Sequence, residues 1–212
     1  APKDVLVIGG GDGGTLREVV KHPAVERAVQ CEIDEEVMRC SREFMPFTAC
    51  GLDHPKSEIV VGDAIEYVRQ QQSSFDVIIV DSTDPVGFAE GLFRGPFYED
   101  VKRALRPGGI MVQQTESPLF EPVWWDKIYG ELRGSFTNVH CYWAVIPMYP
   151  GAFWTFGFAS QGRGPWRDVE DERSRELSDV RYYSPEMQRA AFVLPLWASK
   201  QLSKTVEGAD EG

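Results

Sequence analysis

Lys3-Asp4-Val5-Leu6-Val7-Ile8 runs straight into Gly9-Gly10-Gly11-Asp12-Gly13-Gly14 and then into a helix-like stretch from Thr15 to His22, stopped by Pro23. The order is buried strand, glycine turn, helix. Glycines at the G-x-G-x-x-G positions 9, 11 and 14 permit a tight turn and a close approach of backbone to a ligand. Ala28-Val29-Gln30-Cys31 reads as a second strand and ends in Glu32-Ile33-Asp34. Glu32 lies 18 residues beyond Gly14, where a Rossmann-like unit places the acid that holds the ribose hydroxyls.

The pattern continues outward from this unit. Glu35 to Phe44 carries apolar positions at helical spacing, and Thr48 to Lys56 reads as loop. Ser57 to Gly62 is a third strand followed by Asp63, and Ala64 to Gln72 a helix. The apolar, β-branched run Phe75 to Val80 is a fourth, central parallel strand, and it ends in Asp81-Ser82-Thr83-Asp84-Pro85. Four successive strands therefore carry a carboxylate to one sheet edge: Asp12, Glu32, Asp63 and Asp81. One or two such acids are ordinary helix caps, but four mark a ligand site. Between Val77 and Phe93 there is no Lys, Arg or His, while Asp81, Asp84 and Glu90 are all present, so the site suits a cationic ligand.

Ser82 to Pro96 reads as a long covering loop, Tyr98 to Leu105 as a helix and Ile110 to Gln114 as a fifth strand. Glu121 to Leu132 is a further helix whose Trp124, Trp125, Ile128 and Leu132 are expected to face the sheet. Val139 to Ile146 and Phe153 to Ala159 form a C-terminal β-hairpin. The predicted fold class is α/β, a Rossmann-like sheet of the S-adenosylmethionine-dependent methyltransferase type with helices on both faces. Residues 1–160 are expected to form the catalytic domain. Residues 161–212 are expected to be a charged surface segment and a docked tail of that domain, frayed from Val206.

The composition, 42% hydrophobic and 12% aromatic over 212 residues, is that of a folded domain. A formal charge of -11 argues against nucleic-acid partners and against a basic membrane-binding face. Cys31, Cys40, Cys50 and Cys141 form no C-x-x-C and no metal-ligand spacing with the three histidines. Reduced thiols, a cytoplasmic location and no metal are expected. No signal peptide and no apolar run near 18 residues is present, so neither export nor a membrane span is expected.

Two nucleoside-binding subclasses fit the strand order. A nicotinamide-dependent dehydrogenase does not need acids after its third and fourth strands. In the S-adenosylmethionine-binding class, an acid after strand two takes the ribose and one after strand three the adenine amino group, which suits Glu32 and Asp63. Gly9 to Gly14, Glu32-Ile33-Asp34, Gly62-Asp63, Asp81-Ser82-Thr83-Asp84-Pro85, Phe97-Tyr98, Gln114 with Glu116-Ser117, Tyr149-Pro150, Arg181 to Ser184 and Arg189 to Pro195 together resemble the polyamine aminopropyltransferases, spermidine synthases in particular.

The resemblance implies transfer of an aminopropyl group from decarboxylated S-adenosylmethionine, a co-substrate rather than a resident cofactor, to a small cationic amine, with methylthioadenosine released. Asp12, Glu32, Asp63, Ala64 and Phe88 would contact the donor. Asp81, Asp84, Tyr149 and Gln114 would contact the amine, with Asp81 and Tyr149 catalytic, and the chain would form a homodimer or higher homo-oligomer. The chemistry explains such a set. A sulfonium leaves as a neutral thioether, so no metal or general acid is required, whereas an alkyl ammonium with a pKa of about 10 must lose a proton before attacking. Two cations 4 Å apart repel by about 4 kcal/mol at an effective dielectric of 20, so carboxylates must stand between them. Asp12 would also repel the carboxylate of ordinary S-adenosylmethionine and favour the decarboxylated donor.

The sequence departs from the family pattern in four places. The small β-rich domain that usually precedes the first strand is absent from these residues. Phe88 replaces a common proline, Met148 a usual threonine before Tyr149-Pro150, and Ala64 a frequent glycine. A putrescine N-methyltransferase and a silent nucleoside-binding partner subunit are the rival readings. The residues leave the acceptor open among putrescine, agmatine, cadaverine, spermidine and longer amines; the resemblance favours putrescine.

Overall fold

The computed structural model describes residues 1–149, 151–162, 164–165 and 180–207. Among the described residues, seven strands form one sheet: β1 (Asp4–Gly9), β2 (Arg27–Glu32), β3 (Ser57–Val61), β4 (Phe75–Asp81), β5 (Leu105–Gln114), β6 (Asn138–Val145) and β7 (Phe153–Ser160). Their order is β3-β2-β1-β4-β5-β7-β6. The first five are parallel and β7 runs antiparallel between β5 and β6. The α/β fold and the terminal hairpin are those expected from the sequence. The order reverses between β1 and β4, whose carboxyl ends therefore bound the crevice where such sheets bind ligands.

Strand β1 shows why this sequence makes a covered sheet. Alternate residues point to opposite faces. Val5 and Val7 enter a cluster with Leu16, Val19 and Val20 of α1 (Gly14–Val20) and Met38 of α2 (Glu35–Phe44). Leu6 and Ile8 join Val68 of α4 (Ala64–Arg69), Phe97 and Val101 of α5 (Gly95–Ala104) and Ile128 of α6 (Pro122–Ser135). A short α3 (Pro46–Ala49) lies between α2 and β3. Each fully buried aliphatic side chain contributes about 1.5–3 kcal/mol, so the four core residues of β1 anchor both layers.

The tail supplies α7 (Pro185–Ala191) and α8 (Leu196–Glu207). Arg133 of α6 donates to the Leu202 carbonyl at 2.9 Å, and the Trp143 indole donates to the Val193 carbonyl at 3.0 Å. Ala198 and Leu202 are buried in the larger core cluster. Most of the charged segment read at residues 161–179, and the residues beyond 207, lie outside the described residues.

Three local expectations change. The stretch between Ser82 and Pro96 is not all loop, because Gly87–Phe93 forms a 3₁₀ segment that buries Phe93. Strand β5 begins at Leu105 rather than Ile110. Its register with β4 shifts between Phe75 and Val77, which lets the Pro107-Gly108-Gly109 segment bulge within the strand. Trp124 is half-buried rather than core, with Arg94 and Lys127 cations 5.6 and 4.8 Å from its ring.

A buried polar chain joins the sheet to the covering segment. The Tyr98 hydroxyl donates to Gln113 Oε1 at 2.8 Å, and Gln113 Nε2 donates to the Leu92 carbonyl at 3.0 Å. Both side chains are fully buried. Tyr98→Phe strands the Gln113 acceptor and is expected to destabilise the protein by about 1–3 kcal/mol in denaturant unfolding. A change under about 0.5 kcal/mol would mean the acceptor finds another donor.

Candidate active site

The glycine turn after β1 lies against the end of β4. Gly9 is paired in register with Asp81, and the Gly10 amide donates to the Asp81 carbonyl at 2.8 Å. Two glycines are needed for side-chain reasons as well. A Cβ on Gly10, which has φ +63°, would stand 2.8 Å from Asp81 Oδ2, and one on Gly11 would stand 2.9 Å from Glu32 Oε2. The turn is thus shaped around two carboxylates. Gln30, fully buried on β2, donates to the Gly10 carbonyl at 2.7 Å and pins the turn from below.

Each predicted acid occupies a defined place on this edge. Asp12 Oδ1 accepts from the Gly14 amide at 3.2 Å. Glu32 is buried, and its Oε1 accepts from the Asp34 amide at 3.0 Å, which leaves Oε2 beside Gly11. Asp63 is exposed and caps α4 through the Ile65 amide at 2.8 Å, setting Ala64 as the first helical residue. Asp81 is partly buried, and its Oδ2 accepts from the Thr15 hydroxyl at 2.6 Å. Burial is the main cause of a raised Asp81 pKa; the Thr15 hydrogen bond opposes it and the Asp12 charge adds to it.

A second group gathers on the β5 side. Tyr149 stacks on Trp154 with ring centroids 4.0 Å apart. Burial raises its pKa first, and the charges of Asp84, Asp81 and Glu116 raise it further. Those three carboxylates therefore face one phenol. Gln114 Nε2 donates to the Thr83 carbonyl and to Glu116 Oε1, each at 3.3 Å, so it bridges the Asp81–Asp84 segment to Glu116.

Glu116 follows Gln114 in the sequence without an expected role, and the structure makes it a member of the site. Its side chain is buried and its φ is +68°, a left-handed turn that swings the carboxylate back toward Gln114. Burial, then the nearby Asp84 charge, push its pKa to about 7. Its place after the carboxyl end of β5 is readable in the sequence, whereas the direction of its side chain, set by the left-handed turn, is not.

One expectation changes with the geometry. Phe88 is 95% exposed on the 3₁₀ segment, whose buried aromatic is Phe93. Glu90 does not add to the unneutralised charge, because Arg94 pairs with it one turn later. Among the described residues, none of Asp12, Glu32, Asp63, Asp81, Asp84 and Glu116 forms an ion pair. Nor do the described residues contain a three-ligand His, Cys, Asp or Glu cluster of metal-binding type, or a helix long and apolar enough to cross a membrane. A cavity of about 570 Å³, lined in part by Pro107, Val112, Tyr142 and Phe192, opens at the amino end of β4 and β5, away from every one of these acids.

The family model for the spermine/spermidine synthase domain matches residues 1–168. The chain belongs to the spermine/spermidine synthase family. It is a transferase family: the polyamine aminopropyltransferase of Desulforudis audaxviator is 50% identical over 194 residues, covering 92% of this chain and 70% of the relative. That of Thermotoga maritima is 41% identical over 203 residues, covering 95% and 69%. A solved spermidine synthase in complex with the transition-state analogue AdoDATO superposes with a TM-score of 0.92 at 41% identity, over 95% of this chain and 70% of its own. The structure of Thermotoga maritima spermidine synthase gives 0.89 at 39% identity, over 95% and 68%.

The raised Glu116 pKa makes this corner of the family site sensitive to pH. A carboxyl whose pKa is raised on folding contributes its full stability below its unfolded pKa and loses it as pH rises through the folded value, here about 7. Glu116→Gln keeps a group that can accept from Gln114 but removes the charge. It is expected to raise the Tm of the ligand-free protein at pH 8 by about 2–4 °C, the effect of about 1 kcal/mol in a domain of this size, and to leave Tm at pH 5 nearly unchanged. Scanning calorimetry at the two pH values checks it.

Proposed function

We propose that this chain transfers the aminopropyl group of decarboxylated S-adenosylmethionine to putrescine, making spermidine and releasing methylthioadenosine. The observation that carries the reading is a sheet edge with six carboxylates and, among the described residues, no ion pair to any of them. Such an edge is electrostatically incomplete until cations bind. The names of the relatives point the same way, and so does the AdoDATO complex of a 41% identical spermidine synthase.

In this reading Glu32 holds the ribose hydroxyls, and Asp63 with Ala64 the adenine. Asp12 meets the aminopropyl ammonium of the donor. Asp84, Gln114 and Glu116 hold the amine, and Asp81 with Tyr149 faces its reacting nitrogen. Asp81 takes one proton from the ammonium. The freed lone pair then forms the new C–N bond as the C–S bond breaks, and that electron pair stays on sulfur as a neutral thioether. As the bonds exchange, the positive charge passes from sulfur to the newly bonded nitrogen, so the repulsion between two cations that opposes binding is relieved once Asp81 has taken the proton. Phe88 belongs to the covering segment and would reach the donor only if that segment moves.

Residues 1–160 form the catalytic unit in this reading and the remainder a tail of the same domain, supported by the packing of α8 on α6. A cytoplasmic homodimer or higher homo-oligomer belongs to the same proposal. It is supported by exposed Leu119, Phe120 and Val123 beside the site, where the Phe120 ring lies against Gly151.

Nucleoside products are measured after incubation with decarboxylated or ordinary S-adenosylmethionine and a panel of amines. Methylthioadenosine from the decarboxylated donor with putrescine is expected, and Asp81→Asn is expected to lower its rate by about 10²–10⁴-fold. S-adenosylhomocysteine as the product would mean methyl transfer and would overturn the proposal. Asp12→Asn is expected to reduce preference for the decarboxylated donor by at least about tenfold, because it removes a charge repulsion of the order of a few kcal/mol. Competition between the two donors for binding reads this directly.

A further inference from the structure

Thr15 stands in the first turn of α1, outside every role assigned above, yet its hydroxyl makes the one side-chain hydrogen bond that the described residues give to Asp81. We propose that Thr15 is the positioning residue for Asp81: its hydroxyl fixes the carboxylate through Oδ2 and leaves Oδ1 free for the amine. The inference rests on the reading of Asp81 as the proton acceptor.

The geometry supports it from three sides. The contact is short, 2.6 Å, in the range of a hydroxyl donating to a charged carboxylate. The partner positions are rigid. Gly10 is held by the Asp81 carbonyl through its amide, while its own carbonyl accepts from both Gln30 and the Gly13 amide at 2.7 and 2.8 Å. The Arg17 amide in turn donates to the Gly13 carbonyl at 2.8 Å and so locks the start of α1, where Thr15 sits. Gly10 also leaves the space that Oδ2 occupies. A carboxylate at a strand end can rotate about two side-chain bonds, and the hydroxyl removes that freedom.

Thr15 also acts on the charge. The groups facing Asp81 are Asp12 from the glycine turn, which disfavours a second negative charge, and the Tyr149 phenol from the segment after β6, itself facing Asp84 and Glu116. No cation is among them. Burial and Asp12 raise the Asp81 pKa, and the Thr15 hydrogen bond is the influence that lowers it. Without it the Asp81 pKa rises further, and the carboxylate is less available to accept the proton of the ammonium.

Thr15→Val keeps the shape and removes the donor; Thr15→Ser keeps the donor. With the chain as it stands, Thr15→Val is expected to lower kcat for aminopropyl transfer by about tenfold or more at neutral pH, the effect of losing one hydrogen bond to a charged group. It should move the acid limb of the kcat/KM profile to higher pH and change KM for either substrate by less than about threefold. Thr15→Ser should restore the wild-type limb. The same contact is read without turnover by ¹³C NMR titration of the Asp81 carboxyl in the free protein, where Thr15→Val should raise the midpoint and Thr15→Ser should not. An unmoved Asp81 titration in Thr15→Val overturns the proposal. So does a loss of rate with an unshifted acid limb, or one that Thr15→Ser fails to restore. If the wild-type chain transfers no aminopropyl group but the titration moves, the proton-acceptor reading of Asp81 fails while the Thr15–Asp81 contact stands.

Discussion

The constraint on which the rest depends is the crowding of negative charge at the carboxyl ends of five parallel strands. Glu32 and Glu116 are buried there, Asp12 and Asp81 partly so, and Asp63 and Asp84 stand exposed at the rim. Burying carboxylates together without cations is unfavourable, and the protein meets that in two ways. Backbone amides and hydroxyls satisfy single oxygens, as Asp34 does for Glu32, Ile65 for Asp63 and Thr15 for Asp81. Where that is not enough, the carboxyl holds its proton more tightly, as at Glu116, whose pKa is pushed to about 7. The oxygens left over are those a cationic ligand would take.

The fold exists to hold that edge. Both core clusters begin on β1, so the glycine turn that follows it inherits their rigidity. The turn can lie flat against β4 because Gly10 and Gly11 carry no side chain where Asp81 and Glu32 need room. On the other flank the Tyr98–Gln113–Leu92 chain ties the covering segment to β5, one residue before Gln114, which bridges the Asp81–Asp84 segment to Glu116. Neighbouring β5 residues therefore serve the cover and the site in turn.

Most of this was legible in the sequence because it rests on period and position. A strand reads from its β-branched run, and an acid immediately after it must fall on the carboxyl edge, so Asp12, Glu32, Asp63, Asp81 and Asp84 could be placed without coordinates. Glu116 was not assigned because its side chain is aimed by a left-handed backbone turn, and periodicity does not encode a reversal at a non-glycine residue. The exposure of Phe88 was illegible for a related reason. Which of two aromatics a 3₁₀ segment buries depends on the neighbours available, and Phe93 took the core position. Glu90 is paired because Arg94, the first residue after the Val77 to Phe93 stretch that lacks Lys, Arg and His, reaches back to it. The contact between Thr15 and Asp81 joins residues 66 apart in sequence and needed the β1–β4 pairing to become visible.

The central claim is that the acid cluster recognises cations, with Glu116 surrendering its proton as the amine arrives. Calorimetric titration of putrescine into the free protein between pH 6 and 8 tests it most directly. Affinity is expected to rise with pH through about 7, and below that point the observed heat is expected to vary with the buffer's ionisation enthalpy as protons are released to the buffer, with neither effect in Glu116→Gln. An affinity that does not change across this range and a heat that does not depend on the buffer, in a protein that binds the amine, would contradict it.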